Sequence, residues 1–274
     1  MQLWCSAQGV AWTWAWQAYP GVWAFMVLLA VAYLRLTRHA RRAPHEATGT
    51  PVWFGTGLAL LWLALDWPLG ALGSYMASIH MVQFILIGLA APVFLLLGVP
   101  RAAFHRLLET PHVGRVLELA TRPLPAFAAF TTIMIGTHLP VTTDSLMVSQ
   151  LGSFAIDMAW LTGGVLFWWP VVAPLPERPL MSPAMKMGYL VGATMVMVAP
   201  GAMITFSDLP LYRVYELAPP VEGFRTLQEQ WLAGLIMKLG GMVIMWTAIS
   251  ILFYRWNRDE VADLRRDRAA ERTA

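Results

Sequence analysis

The chain has 274 residues, of which 58% are hydrophobic and only 13% are charged. A water-soluble domain carries roughly a quarter charged residues, so most of this surface must face something other than water. The formal charge of +3 rests on Arg and Lys in short runs between apolar stretches. That is the arrangement of membrane-protein loops, and it argues against a nucleic-acid partner. The lone Cys5 excludes an internal disulfide framework and any Cys-pair metal motif.

In chain order, the first twenty residues lack a basic leader and a small-residue cleavage site, so the first span is expected to act as an uncleaved insertion signal. Apolar stretches near 16–35, 52–70, 76–98, 123–141, 149–170, 185–206 and 230–254 are each long enough to cross about 30 Å of hydrocarbon at about 1.5 Å per residue. Lipid-facing backbone has no water to bond, so these spans are predicted to be helices. Pro51, Pro68, Pro100, Pro123, Pro140, Pro170, Pro183 and Pro210 fall near their ends. The predicted fold is therefore all-α: a polytopic transmembrane helical bundle of about seven spans over residues 1–254, followed by a charged tail over 255–274. Between the third and fourth spans, residues 101–122 carry Phe104, Leu107, Leu108, Val116 and Leu117 among Arg residues, the pattern of an amphipathic helix on a membrane surface. No internal repeat is evident.

Charge gives the bundle a direction. With the N-terminus outside, sixteen of the nineteen Lys and Arg fall on the inner side, including Arg41, Arg42 and Arg178. The positive-inside rule thus predicts N-terminus out and C-terminus in. Asp66, Asp144, Asp157, Asp208, Glu216, Glu222 and Glu229 then lie on or near the outer side, which would attract cations.

Ionisable residues inside spans are costly and point to function. His80, His138, Asp157 and Lys238 come from four different spans and fall in one depth band toward the outer side. Met76 and His80 are spaced i, i+4, as are Met134 and His138, so each pair is expected along one helix face. Imidazole with thioether is a ligand set suited to Cu(I). Two other readings stand beside it. A lone intramembrane His also bonds across helix interfaces, and Met also packs against helices or lipid. Asp157 and Lys238 are expected to form a buried ion pair, structural or part of a transport path. Trp168 and Trp169 read as an interfacial anchor. With no phosphate loop, zinc-protease helix, serine elbow or haem-attachment motif, an enzyme is not expected.

Ordered stretches carry a resemblance. They are Asp66-Trp67-Pro68-Leu69-Gly70, Ser74-Tyr75-Met76 leading into His80-Met81-x-Gln83, and Ala91-Pro92 before Leu97-Gly98-x-Pro100. Further on come Thr137-His138-Leu139-Pro140, Phe167-Trp168-Trp169-Pro170, Pro210-Leu211-Tyr212-x-x-Tyr215 and Gln230-x-x-Ala233-Gly234. Together they resemble the CtaG-like family of bacterial cytochrome c oxidase assembly factors. The resemblance implies a multi-pass protein of the bacterial plasma membrane that helps mature a haem–copper oxidase by handling copper on its outer side. Its partners would be membrane lipid, oxidase subunits or copper chaperones. Phe84 stands where family members carry a His, Ser153 and Asp157 stand at two further His positions, and Glu229-Gln230 replaces an Asp-Gln pair.

The expected ligands are accordingly His80 and His138 with Met76, Met134 and Met81. Asp157 and Glu229 would orient ligands or attract the ion, Asp66 and Gln83 would support them, and Lys238 would compensate Asp157. The loss of family His residues favours a rival reading: a metal-free structural subunit or scaffold of a respiratory membrane complex.

Overall fold

A computed structural model describes residues 2–7, 9–38, 51–172, 180–221 and 225–273. Arg41, Arg42, Arg178 and Glu222, which enter the charge argument, lie outside the described residues. The regular structure among the described residues is all helical, with no strand. Its longer helices are α1 (Pro20–Thr37), α2 (Pro51–Leu65), α3 (Ala77–Gly98), α4 (Arg101–Glu109), α5 (Val113–Ala120), α6 (Pro123–Thr137), α7 (Pro140–Leu146), α8 (Gln150–Val172), α9 (Pro183–Phe206) and α10 (Thr226–Thr273).

Among the described residues five helices are long and apolar enough to cross a membrane: α1, α3, α8, α9 and the first part of α10. Helices α6 and α7 would count as a sixth if their 73° bend lies within one span. Every predicted stretch therefore holds an apolar helix, but two fall short of a straight crossing. Helix α2 has only 15 residues and stops before Asp66-Trp67-Pro68. The fourth stretch breaks at His138-Leu139-Pro140, because Pro140 lacks an N–H and forces Leu139 into an extended conformation (φ −71°, ψ 134°). Apolar Leu28, Leu63 and Val243 face outward, while Asp66, His80, His138, Asp157 and Glu229 are buried. That inversion of a soluble protein's surface, together with the apolar helices, marks a membrane protein.

Helix α9 packs along α10, α2 along the C-terminal half of α3, α6 along α8, and α10 against the start of α3. A π-helical segment, Ile85–Ala90, interrupts α3. There Gly164 of α8 meets α3 backbone to backbone, for a Cβ at Gly164 would lie 2.1 Å from the Gly88 oxygen. Small residues permit this approach, as at many membrane helix crossings. The contact seats Trp160 and Asp157, one and two turns along α8, beside His80, two turns back along α3.

The N-terminal segment folds back onto the bundle. The main-chain N–H groups of Leu3 and Trp4 donate to Gln150 Oε1 at 2.8 and 3.3 Å. Ala7 N–H donates to the Met147 carbonyl at 2.9 Å, and Gly21 N–H to that of Leu3 at 3.0 Å.

At the opposite end, the predicted amphipathic segment is two short helices joined through His112, whose φ of 65° is uncommon for a residue with a side chain. Phe104 is buried edge-on against Trp169, with ring centroids 4.9 Å apart, whereas Val113, Val116 and Leu119 form an exposed stripe. Helix α10 runs unbroken through residue 255, so the charged tail continues the last apolar helix. Its exposed pairs, Arg258–Asp259 at 3.2 Å and Asp263–Arg266 at 3.1 Å, contribute little to stability.

Candidate functional site

His80 and His138 both pack against one residue that sequence reasoning passed over. The Trp160 ring lies 4.8 Å from the His80 ring and 5.9 Å from the His138 ring, centroid to centroid. Its Nε1–H donates to Thr137 Oγ1 at 2.8 Å, and the Thr137 hydroxyl donates to the Ile133 carbonyl at 2.8 Å, so the indole is held in place. Phe84 packs edge-on against His138 at 4.7 Å and against Trp160 at 5.3 Å. An apolar ring thus occupies the position where the resemblance implies a further imidazole.

The break after α6 sets the orientation of His138. Its Nδ1 lies 2.6 Å from the Met134 carbonyl, a contact that requires the proton on Nδ1. The lone pair is therefore left on Nε2. That Nε2 is buried and has no hydrogen-bond partner. The i, i+4 relation between Met134 and His138 is thus realised through the Met134 main chain.

Met76 departs from the expected helical face. It precedes α3 in an extended conformation (φ −130°, ψ 121°). It lines a vestibule of about 210 Å³ with Tyr75, Tyr212, Tyr215, Glu216 and Glu229. His80 instead lines a cavity of about 20 Å³ with Cys5, Gln83, Met147, Ser153 and Asp157, all buried. Such a volume suits one water-sized occupant. Met81 is packed in the hydrophobic core.

The supporting residues are tied down individually. Gln83 lines the cavity with His80 and donates from Nε2 to the Ala64 carbonyl at 2.8 Å. Gly73 lets it approach, since a Cβ there would fall 1.7 Å from Gln83 Oε1. Asp157 Oδ2 accepts from Trp4 Nε1–H at 2.7 Å. Asp66 Oδ2 accepts from Trp23 Nε1–H at 3.1 Å and Trp62 Nε1–H at 2.5 Å, while its Oδ1 is buried without a partner. Glu229 accepts from the Ser78 N–H at 2.9 Å and from the Ser78 hydroxyl.

The expected Asp157–Lys238 pair is not formed. Asp157 turns toward the N-terminal segment, whereas Lys238 is exposed on α10 beside Thr194, Met197 and Met242 of the α9–α10 contact. With the two residues on different faces of the bundle, the compensating role of Lys238 and a transport path through the pair lose their basis. Among the described residues, no three His, Cys, Asp or Glu side chains converge as a metal-binding group.

Part of the site carries a signal in local sequence and part carries none. Tyr215 belongs to the Tyr212-x-x-Tyr215 stretch and could have been found. Its hydroxyl donates to the Gly73 carbonyl at 3.1 Å and lies 3.1 Å from Met147 Sδ. Tyr212 donates to the His138 carbonyl at 2.8 Å. Burial raises the pKa of both phenols above the ordinary value, so both act as neutral donors. Cys5 and Met147 bring sulfur to the His80 cavity, but neither has a local pattern that points there. Burial pushes the Cys5 thiol up, which keeps it protonated.

The model of the cytochrome c oxidase caa3 assembly factor (Caa3_CtaG) family matches residues 31–259. No curated protein and no solved structure matches the chain. The matched residues take in every helix from α2 to α9, both imidazoles and the carboxylates of the vestibule and cavity, but not Trp4 or Cys5. On that match the chain belongs to the cytochrome c oxidase caa3 assembly factor family.

Proposed function

We propose that this assembly factor handles Cu(I) as cargo for a haem–copper oxidase, at the end of the bundle that holds the N-terminal segment. The carrying observation is the buried Nε2 of His138, which has no partner while its Nδ1 is fixed on a main-chain carbonyl. An imidazole locked in that tautomer presents one lone pair, as a metal ligand must. The donor set around His80 fits the same cargo, because Cys5 and Met147 line its cavity and soft sulfur favours the cuprous ion. His80 and His138 are the primary ligands in this reading. Met76 and Glu229 serve arrival in the vestibule, and Met147 joins the thioethers anticipated at Met134 and Met81. No substrate bond is made or broken; the cargo is taken up and passed on.

The charge distribution supports an outward-facing site in the bacterial plasma membrane. Arg101, Arg106, Arg115, Arg122 and the tail cluster at the opposite end, which the positive-inside rule puts in the cytoplasm. Oxidase subunits or copper chaperones would then meet the vestibule end.

One observation favours the metal-free scaffold instead: Phe84 fills the place of a family His against both His138 and Trp160. Titration of the detergent-purified protein with Cu(I) against a competing chelator separates the two. Stoichiometric binding that is lost in both His80→Ala and His138→Ala is expected. Binding no tighter than that of an unrelated Met-rich membrane protein would overturn the copper reading.

A further inference from the structure

The vestibule and the His80 cavity are separated by little more than one side chain. Tyr215 forms part of the vestibule wall. Its ring lies 6.0 Å from that of His80, and its hydroxyl touches the Gly73 carbonyl and the Met147 sulfur. His80, Gly73 and Met147 all belong to the wall of the inner cavity. The main chain makes the same division, for Ser74 faces the inner cavity while Tyr75 and Met76 face the vestibule.

The two chambers suit successive stages of one passage. The vestibule reaches the surface beside exposed Glu216 and Pro220, and among the described residues neither Lys nor Arg is in its wall. Beyond Tyr215, Ser153 Oγ is buried without a hydrogen-bond partner in the wall of the inner cavity. An unsatisfied buried hydroxyl calls for an occupant.

We propose that the vestibule is the entry site for a small soft cation and that Tyr215 is the movable partition between it and the His80 cavity. The hydroxyl contacts to Gly73 and Met147 hold the partition shut, and rotation of the phenol away from them joins the chambers. The identity of the passenger rests on the copper reading. The existence of the passage does not.

Cys5 supplies a reporter that needs no engineering, since it is the only cysteine and lines the inner cavity. Methyl methanethiosulfonate converts a thiolate to its methyl disulfide and releases methanesulfinate. The reagent is larger than the closed cavity, so its reaction rate reports opening. The full-length protein in detergent is treated with it, and modification of Cys5 is followed by mass spectrometry. Tyr215→Phe, which keeps the ring and loses the hydroxyl contacts, is expected to accelerate modification by about tenfold or more. Adding Ala77→Trp, a bulky side chain in the vestibule wall, is expected to remove the acceleration.

An unchanged rate in Tyr215→Phe would overturn the partition. So would acceleration that persists with the vestibule filled, because the thiol would then be exposed by fraying of the N-terminal segment. Gln150→Ala, which frees Leu3 and Trp4, provides the rate of that fraying route. Because the reagent is not a metal, acceleration in a protein that binds no Cu(I) would keep the passage and reject the copper reading. If Cu(I) does bind, its association and dissociation rates should rise together in Tyr215→Phe with little change in Kd.

Discussion

Trp4 and Asp157, 153 positions apart in sequence, are joined by a buried hydrogen bond of 2.7 Å from the indole nitrogen to a carboxylate oxygen. The bond ties the N-terminal segment to the first half of α8, and edge-on contacts with Phe154 at 4.9 Å and Phe25 at 6.0 Å hold the indole in place. Trp4→Phe keeps much of the aromatic packing and removes the donor. It should lower stability by about 1–3 kcal/mol, the cost of leaving a buried acceptor unpaired. Thermal unfolding in one detergent measures this. Adding Asp157→Leu should recover part of the loss, since no acceptor is then stranded. An unchanged melting temperature in Trp4→Phe would show that the bond contributes nothing.

Phe84→His places an imidazole directly against His138 and Trp160, at the position where the resemblance implies one. Under the copper reading Cu(I) affinity should rise by about tenfold, or about 1.4 kcal/mol. Chelator competition measures the change. The scaffold reading predicts unchanged copper affinity and a loss of stability from placing a polar ring in an apolar contact.

The π segment of α3 and helix α8 leave no room for a methyl group at Gly164. A Cβ there would meet the Gly88 oxygen at 2.1 Å and the Pro92 ring at 2.7 Å. Gly164→Ala is expected to destabilise the bundle by about 1–3 kcal/mol. Gly136→Ala is the control, because a Cβ at Gly136 meets nothing within 4 Å. The control should be neutral, or more stable by up to about 1 kcal/mol through its gain in helix propensity. Equal melting temperatures for the two variants would contradict the crossing described here.

Gln230 fastens the loop between α9 and α10. Its Oε1 accepts from Leu211 N–H at 2.7 Å, and its Nε2 donates to the carbonyls of Leu209 at 3.2 Å and Ile204 at 3.4 Å. In Gln230→Ala, amide hydrogen exchange should quicken by about tenfold or more over residues 207–212, with the centres of α9 and α10 left protected. Uniform acceleration along both helices would show that Gln230 holds the helices themselves rather than the loop.

Features written in local sequence were legible before any coordinates. Apolar run length located all the long helices, and proline marked their ends, because both act within a few residues. The burial of His80, His138 and Asp157 followed from the cost of placing them in lipid. Long-range partners were not legible. Nothing near Trp4 or Cys5 says that they fold back onto α8 and the His80 cavity. The Asp157–Lys238 pairing assumed that two ionisable groups at one depth would meet, but depth does not fix helix rotation. The i, i+4 spacing predicts Met76 one turn from His80 on a helix face, but α3 starts after it. Pro140 marks an end in the sequence, yet its larger effect is to turn His138 into a helix terminus.

Three buried carboxyl groups lie at the vestibule end, and the groups that hold them share one property. Asp157 is held by an indole, Asp66 by two indoles, and Glu229 by a serine through its main chain and hydroxyl. All of these donors are neutral. Whatever negative charge the carboxyls carry is therefore anchored without being cancelled, and its field reaches into the surrounding low-dielectric interior. Among the described residues, none of these three carboxyls has a lysine or arginine partner for an arriving cation to displace. The indoles let this end of the protein keep fixed acidic groups while leaving the role of counter-ion open to a visitor.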